Sequence, residues 1–284
     1  MTRTVYVNGE YVAAEDAKIS VFDRGFLMAD GVYEVTSVLG GKLVDFDGHV
    51  KRLERSLSEL GMDMPMPADA LMAVHEELVA KNGITEGGVY LQITRGVAER
   101  DFLIPEGVEP TVVLFTMSMN LTGSLAAEKG LRVAVAEDQR WARRDIKTVQ
   151  LLYPSMAKTA AKKAGADDAW MVEDGFVTEG TSNNAYIVTK DNKIVTRHLS
   201  NEILHGITRA AVLKMAREAQ MTVEERAFTI DEAKDAAEAF VTSATTFVMP
   251  VVEVDGTTIG KGVPGPIAKR LREIYIDESQ KLAV

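Results

Sequence analysis

Alternating apolar and polar positions open the chain. Thr4-Val-Tyr-Val7 and Glu10-Tyr-Val12 flank Asn8-Gly9, a dipeptide that favours the type I′ hairpin turn. A glycine-containing loop over 22–31 follows. A second strand pair then runs over 32–38, turns at Gly40-Gly41 and returns over 42–46. Here the period changes. Val50, Leu53, Leu57 and Leu60 recur at helical spacing and stop at Gly61, and 68–82 predicts another helix ending before Gly83. Strands over 88–95 and 111–119 complete a smaller N-terminal α+β domain, 1–120. The turn-rich Asn120-Leu-Thr-Gly-Ser124 marks its boundary with a larger domain, 121–284.

In that second part the pattern predicts a strand over 131–136 and a helix over about 154–165. Hairpins turn at Asp174-Gly175 and Asp191-Asn192, with strands over 169–172, 176–178, 185–188 and 193–196. Helices near 208–220 and 230–237, strands over 239–242 and 251–254, and a terminal helix over about 266–280 finish the chain. Hairpins dominate, and helices come in blocks instead of alternating with strands. That is an α+β protein with antiparallel or mixed sheets flanked by helices.

Composition narrows the classes. The 284 residues can bury the cores of two domains, and 46% hydrophobic with 26% charged residues is ordinary for a globular chain. A net charge of −10 without a basic block argues against nucleic acid or an anionic membrane as partner. There is no cysteine, so thiolate chemistry is absent. No apolar run reaches the roughly 18 residues of a membrane span, and the N-terminus does not read as a signal peptide, so a cytoplasmic protein is expected. His49, His75, His198 and His205 lack metal-ligand spacing, and no phosphate-binding P-loop or dinucleotide fingerprint occurs.

The chemistry gathers around 140–154. Lys147 sits among Ile146, Val149, Leu151 and Leu152. Burial disfavours the charged ammonium and turns a lysine into a nucleophile for carbonyls; the plainer reading is a strand-end lysine with its tip in water. Glu179, in Thr178-Glu-Gly-Thr-Ser-Asn-Asn184, is a candidate carboxylate or a solvated turn residue. Gly206-Ile-Thr-Arg209 opens an amphipathic helix, whose first amides suit an anion or whose Thr208 simply caps it. Thr242-Ser-Ala-Thr-Thr246 offers hydroxyls for the other side of a phosphate, or a polar turn. Arg52 flanks the apolar stripe of its helix, the usual place of a surface residue.

As a set, these segments resemble a known family. Asp23-Arg-Gly-Phe26, Asp30-Gly-Val-Tyr-Glu34, His49-Val-Lys-Arg-Leu53, Asp145-Ile-Lys147, Thr178-Glu-Gly-Thr-Ser182, Gly206-Ile-Thr-Arg209 and Thr242-Ser-Ala-Thr245 occur in the order seen in fold-type IV pyridoxal-phosphate aminotransferases. The similarity is strongest to the D-amino acid (D-alanine) aminotransferases and extends over nearly the whole chain. It implies a two-domain fold and pyridoxal 5'-phosphate as cofactor, bound to Lys147 as an internal aldimine. It implies ping-pong transfer of the amino group from a D-amino acid donor, such as D-alanine or D-glutamate, to a 2-oxo acid acceptor by a homodimer. Lys147 would also carry the substrate proton, and Glu179 would pair with the pyridine nitrogen. Arg52, Ile207, Thr208, Ser243 and Thr245 would hold the phosphate, Ser182 would lie close by, and Tyr33 would face the substrate. The family's Arg-x-His motif for the substrate carboxylate corresponds to Arg100-Asp-Phe102, with phenylalanine replacing histidine, and a phosphate-binding threonine corresponds to Ala244. The first departure keeps an (R)-selective amine transaminase open as an alternative. Branched-chain aminotransferases and aminodeoxychorismate-type lyases share the lysine, and a catalytically inactive small-molecule binder is the reading outside enzymes.

Overall fold

The computed structural model describes residues 3–284; residues 1 and 2, at the start of the expected N-terminal domain, lie outside it. Two compact units make up the chain. One comprises Met1–Asn120, Ile146–Gln150 and Leu282–Val284, the other Leu121–Asp145 and Leu151–Lys281.

The first unit holds β1 (Thr4–Val7), β2 (Glu10–Ala13), α1 (Arg24–Met28), β3 (Gly31–Leu39), β4 (Lys42–Leu43), α2 (Phe46–Glu59), α3 (Ala68–Asn82), β5 (Glu86–Thr94) and β6 (Thr111–Ser118). Its strands form an antiparallel sheet in the order β2-β1-β6-β5-β3-β4. The β1–β2 hairpin forms as the sequence predicts, with Asn8 at φ 47° and Gly9 at φ 99°, both left-handed as a type I′ turn requires. One face of the sheet packs against α2 and α3. There Val32, Val38, Leu53, Leu57, Leu78, Val89, Leu91 and Leu114 form the core, joined by Ile146 from the returning segment. Leu57 and Leu78 are fully enclosed, so truncating either to alanine costs about 2–5 kcal/mol.

Two expectations are corrected in this unit. The strand expected over 42–46 ends at Leu43: Asp45 turns left-handed at φ 54°, and Phe46 opens α2 with its ring edge-on to His75. The loop expected over 22–31 contains α1, because the Asp23 carboxylate accepts from the Gly25 amide and starts a helical turn, which Ala29 ends in the left-handed region.

The second unit holds α4 (Leu125–Lys129), β7 (Leu131–Glu137), α5 (Leu152–Lys163), β8 (Asp168–Glu173), β9 (Phe176–Gly180), β10 (Asn184–Val188), β11 (Ile194–Thr196), α6 (Ile207–Glu218), β12 (Val223–Glu225), α7 (Ile230–Lys234), β13 (Glu238–Ser243), β14 (Phe247–Val254), β15 (Thr257–Thr258) and α8 (Pro266–Leu282). Its sheet runs β12-β11-β10-β13-β14-β7-β8-β9, with β15 on β14. β11–β12, β14–β7 and β7–β8 pair in parallel and the rest antiparallel, so the sheet is mixed. The core of Val133, Trp170, Val177, Ile187, Phe228, Val241 and Met249 lies along it. The α+β class with antiparallel and mixed sheets is what the hairpin pattern implied. β12, which the sequence pattern did not signal, is a three-residue strand added in parallel to β11. Among the described residues, no helix is long and apolar enough to cross a membrane.

Candidate functional site

Strand alternation positions the first group of residues. On β3, Val32, Glu34, Thr36 and Val38 are buried, and Glu34 is turned to α2; Tyr33 and Val35 lie on the other face, half-buried. Tyr33 starts an aromatic row, stacking on Tyr90 at 5.5 Å, which stacks on Phe115 at 4.7 Å. Burial pushes the Tyr90 phenol up to about 12. The segment bearing Lys147 lies beside β3 through backbone hydrogen bonds: the Tyr33 amide donates to the Lys147 carbonyl at 3.0 Å and the Val149 amide to Gly31. Thr148 bridges Val32, and the Lys147 amide donates to Ser56 Oγ at 3.4 Å. These contacts fix the backbone of Lys147 and leave its side chain over Tyr33, with Nζ 4.1 Å from the ring centroid. Lys147 as a whole is half-buried, less than the apolar neighbourhood suggested, and the aromatic face covers one side of its amine.

Arg52 is not the surface residue its flank position implied. It is 8% exposed, and Nε and Nη2 form a fork on Glu34 at 2.8 and 2.6 Å, while His49 Nδ1 lies 2.7 Å from the same carboxylate. Burial would raise the Glu34 carboxyl, but the Arg52 charge and the Arg52 and His49 hydrogen bonds outweigh it and bring it down to about 2. Glu34 and His49 escaped the sequence reading as site residues. The signal was there: a charged residue at a core-facing position of a strand. Arg100 is exposed and, among the described residues, makes no ion pair with Glu99 or Asp101; its guanidinium lies 5.6 Å from the Phe102 ring centroid.

In the second unit Glu179 is buried near the end of β9, 3% exposed, and is no solvated turn residue. Its Oε1 accepts from Arg140 Nη1 at 2.6 Å; its Oε2 accepts from Asn184 Nδ2 at 2.9 Å and the Leu204 amide at 3.1 Å. Arg140 is itself forked on Asp138, which also accepts from Thr178 Oγ1. Burial drives the Glu179 carboxyl up, and Arg140 and the Leu204 amide pull it back without cancelling. A carboxylate has roughly four acceptor positions and three are filled here. The remaining one, in a buried site that disfavours the bare anion, suits a cationic N–H donor such as a protonated ring nitrogen. Arg140 and Asn184 also escaped the reading as site residues: both lie inside the singled-out stretches, but only the fold brings them to Glu179.

Asn184 connects Glu179 to the two stretches that the sequence offers for an anion. It pairs with Thr242 across β10–β13, and its Nδ2 also donates to the Leu204 carbonyl. Gly206, not Thr208, is the N-cap of α6, and no side chain caps the helix, so its first amides face outward without an internal partner. A Cβ on Gly206 would stand 2.1 Å from Asn184 Oδ1, so only glycine fits there. Ile207 is half-buried and Thr208 buried in the first turn. After β13, Ser243 Oγ lies 2.8 Å from Thr246 Oγ1 and 3.3 Å from Thr245 Oγ1, so Thr246 joins the two expected hydroxyls. Ser182 is exposed in the 181–183 turn. A buried carboxylate with one acceptor position left, beside the amide donors of an uncapped helix start and a hydroxyl cluster, fits an aromatic nitrogen heterocycle bearing a phosphate.

Comparison with known proteins agrees in kind. Residues 31–254 match the family "Amino-transferase class IV". The chain is 40% identical to the D-alanine aminotransferase of Bacillus licheniformis over 268 residues, 94% of each chain. It is 40% identical to that of Staphylococcus aureus (strain N315) over 271 residues, 95% of each. Among solved structures, a T.th. branched-chain amino acid aminotransferase with pyridoxamine 5'-phosphate superposes at a TM-score of 0.91 and 26% identity, covering 100% of this chain and 98% of that one. The branched-chain aminotransferase of Thermoproteus uzoniensis with norvaline gives 0.85 and 27%, covering 97% and 94%.

Proposed function

The chain belongs to the class IV aminotransferases, and from that premise we propose that it is a pyridoxal 5'-phosphate-dependent transaminase that moves the amino group of a D-amino acid, such as D-alanine or D-glutamate, to a 2-oxo acid. The observation that carries the cofactor assignment is Glu179, a buried carboxylate oriented by three donors with one of its roughly four acceptor positions unfilled. When bound, pyridoxal 5'-phosphate supplies an aldehyde that takes up the amino group and a ring that draws electrons from the Cα–H bond.

Lys147 Nζ would hold the cofactor aldehyde and, when free of it, would be the amine that carries the substrate Cα proton. Tyr33, against which that amine rests, limits its orientations and faces the substrate. Glu179 keeps the proton on the ring nitrogen. The α6 amides at Ile207 and Thr208, the Thr208 hydroxyl, Ser243 and Thr245 bind the phosphate; Ser182 lies close by. Arg52, assigned to the phosphate by the resemblance, has its Nε and Nη2 taken by Glu34, so its charge is balanced by that carboxylate. Arg100 takes the α-carboxylate with its planar fork. The D-amino acid preference rests on the 40% identity to D-alanine aminotransferases along nearly the full length.

A second reading, an (R)-selective amine transaminase, draws on one feature. Phe102 stands where the family's carboxylate-binding histidine would, so the carboxylate loses one donor. The functional unit is a cytoplasmic homodimer on this account. Phe22 (48% exposed) and Phe26 (73%) give the first unit an apolar surface for a second copy to cover. Incubating the cofactor-loaded protein with D-alanine and 2-oxoglutarate, beside L-alanine, L-leucine and (R)-1-phenylethylamine, separates the readings. The proposal expects pyruvate and D-glutamate from the D-alanine reaction, ahead of every other donor. Preference for L-leucine would assign a branched-chain enzyme, and release of pyruvate from aminodeoxychorismate, with no amine exchange from any of these donors, would assign a lyase.

A further inference from the structure

The segment that carries Arg100 is anchored from one side. Its stem is joined to the 22–24 stretch by backbone hydrogen bonds, Arg24 N to the Gly96 carbonyl at 2.8 Å and Ala98 N to the Phe22 carbonyl at 3.2 Å. Farther out, the anchoring passes to a single side chain. Arg24 is 5% exposed, although it lies on a five-residue surface helix. Its Nε donates to Asp30 Oδ2 at 2.7 Å, and its Nη1 donates to the Asp101 carbonyl at 2.9 Å and the Leu103 carbonyl at 3.4 Å. Asp30 is held in turn by Arg95 Nε at 2.8 Å, and Arg95 Nη2 donates to the Leu60 carbonyl at the end of α2. The two carbonyls that Arg24 grips flank Phe102, and the Phe102 ring is the surface against which the Arg100 guanidinium lies. A buried charge is thus directed at two backbone oxygens of an otherwise exposed loop, where burying a hydrophobic side chain would have stabilised the unit more simply.

We propose that Arg24 is a positioning residue for substrate selection: through the 101 and 103 carbonyls it fixes Phe102, and through Phe102 it sets the direction of the Arg100 guanidinium. The proposal rests on the reading of Arg100 as the carboxylate ligand. Lysine cannot replace Arg24, because a single ammonium cannot serve Asp30 and both carbonyls with the geometry of a planar fork.

The test measures hydrogen exchange over residues 99–104 and D-alanine kinetics in the cofactor-loaded protein as purified, for the parent, R24K, R100A and R24K/R100A. Within 99–104 the Leu103 amide, which donates to Asp101 Oδ1, is the protected one, and loss of the charge-assisted bonds raises its exchange on the order of tenfold in R24K. KM for D-alanine rises roughly tenfold with little change in kcat, and R24K adds nothing once Arg100 is gone. Exchange at the parent level in R24K overturns the clamp, whatever the kinetics. A KM increase equally large in the R100A background overturns the route through Arg100. If R100A itself leaves KM unchanged while R24K loosens the loop, the carboxylate reading has failed and the clamp alone stands. Should R24K not fold, D30N, which keeps an acceptor but removes the anion that anchors Arg24, gives the same exchange readout, and unchanged exchange there overturns the clamp as well.

Discussion

Replacing Glu34 with glutamine tests the buried charge pair at the heart of the first unit. The side chain keeps its size, but Arg52 and His49 lose their anion. The Glu34 carboxyl titrates at about 2 instead of its ordinary 4.5. At ~1.4 kcal/mol for each pH unit, ionisation of Glu34 stabilises the folded state by about 3 kcal/mol. That agrees with the roughly 3–5 kcal/mol lost when one partner of a buried pair is removed. The folded value is depressed, so this contribution is fully present above the unfolded value, 4.5, and is lost as pH falls toward about 2. Urea unfolding of the parent and E34Q at pH 7, 5, 4 and 3 reads the difference directly, because other acid-sensitive groups cancel between the two proteins. E34Q should be less stable by about 3 kcal/mol at pH 7, and the gap should narrow steadily below pH 5. A gap independent of pH, or a variant as stable as the parent at pH 7, would refute the reasoning.

Other outcomes follow from the proposed roles. Lys147→Ala should abolish transamination and leave thermal stability close to the parent's, since the side chain is only half-buried; substantial turnover without added amine would remove Lys147 from its role. Glu179→Gln should retain cofactor yet slow Cα–H cleavage in single turnovers, and unchanged rates with a deuterated donor would count against the nitrogen partner. Arg100→Ala should lower kcat/KM for D-alanine about ten- to a hundredfold, the equivalent of one charge-assisted hydrogen bond at ~1.5–3 kcal/mol, and shift preference toward (R)-amines. Equal losses on D-alanine and (R)-1-phenylethylamine would place Arg100 elsewhere. Light scattering at assay concentration should give twice the 31.0 kDa chain mass; an active monomer would contradict the dimer.

Much of the fold was legible because its punctuation is local. Asn8-Gly9, Gly40-Gly41 and Asp174-Gly175 each turn with positive φ at both residues, as their composition demands. The 42–46 strand was misread because Leu43, Val44 and Phe46, following the Gly40-Gly41 turn, form a short apolar run that reads as a returning strand, whereas Asp45 reverses the chain. The left-handed turn there is a tertiary choice: Leu43 pairs its amide with the Val284 carbonyl and Val44 with Ser37, contacts that no local window contains. The site divides in the same way. Lys147 and Glu179 stood out from their immediate neighbours. Their surroundings did not, since Arg140 reaches Glu179 across 39 positions and Arg52 reaches Glu34 across 18. Local windows place a charged residue on a face, but the partner that makes burial tolerable comes from the fold.

The most direct test of the central claim is a half-reaction. Cofactor-loaded protein, without any 2-oxo acid, is mixed with D-alanine or L-alanine, and the absorbance of the bound aldehyde form is followed while pyruvate is counted. The account predicts that D-alanine bleaches that band and releases one pyruvate per subunit, that added 2-oxoglutarate restores it, and that L-alanine does neither at a comparable rate. Bleaching by L-alanine in preference to D-alanine, or no bleaching and no pyruvate with either enantiomer, would contradict it.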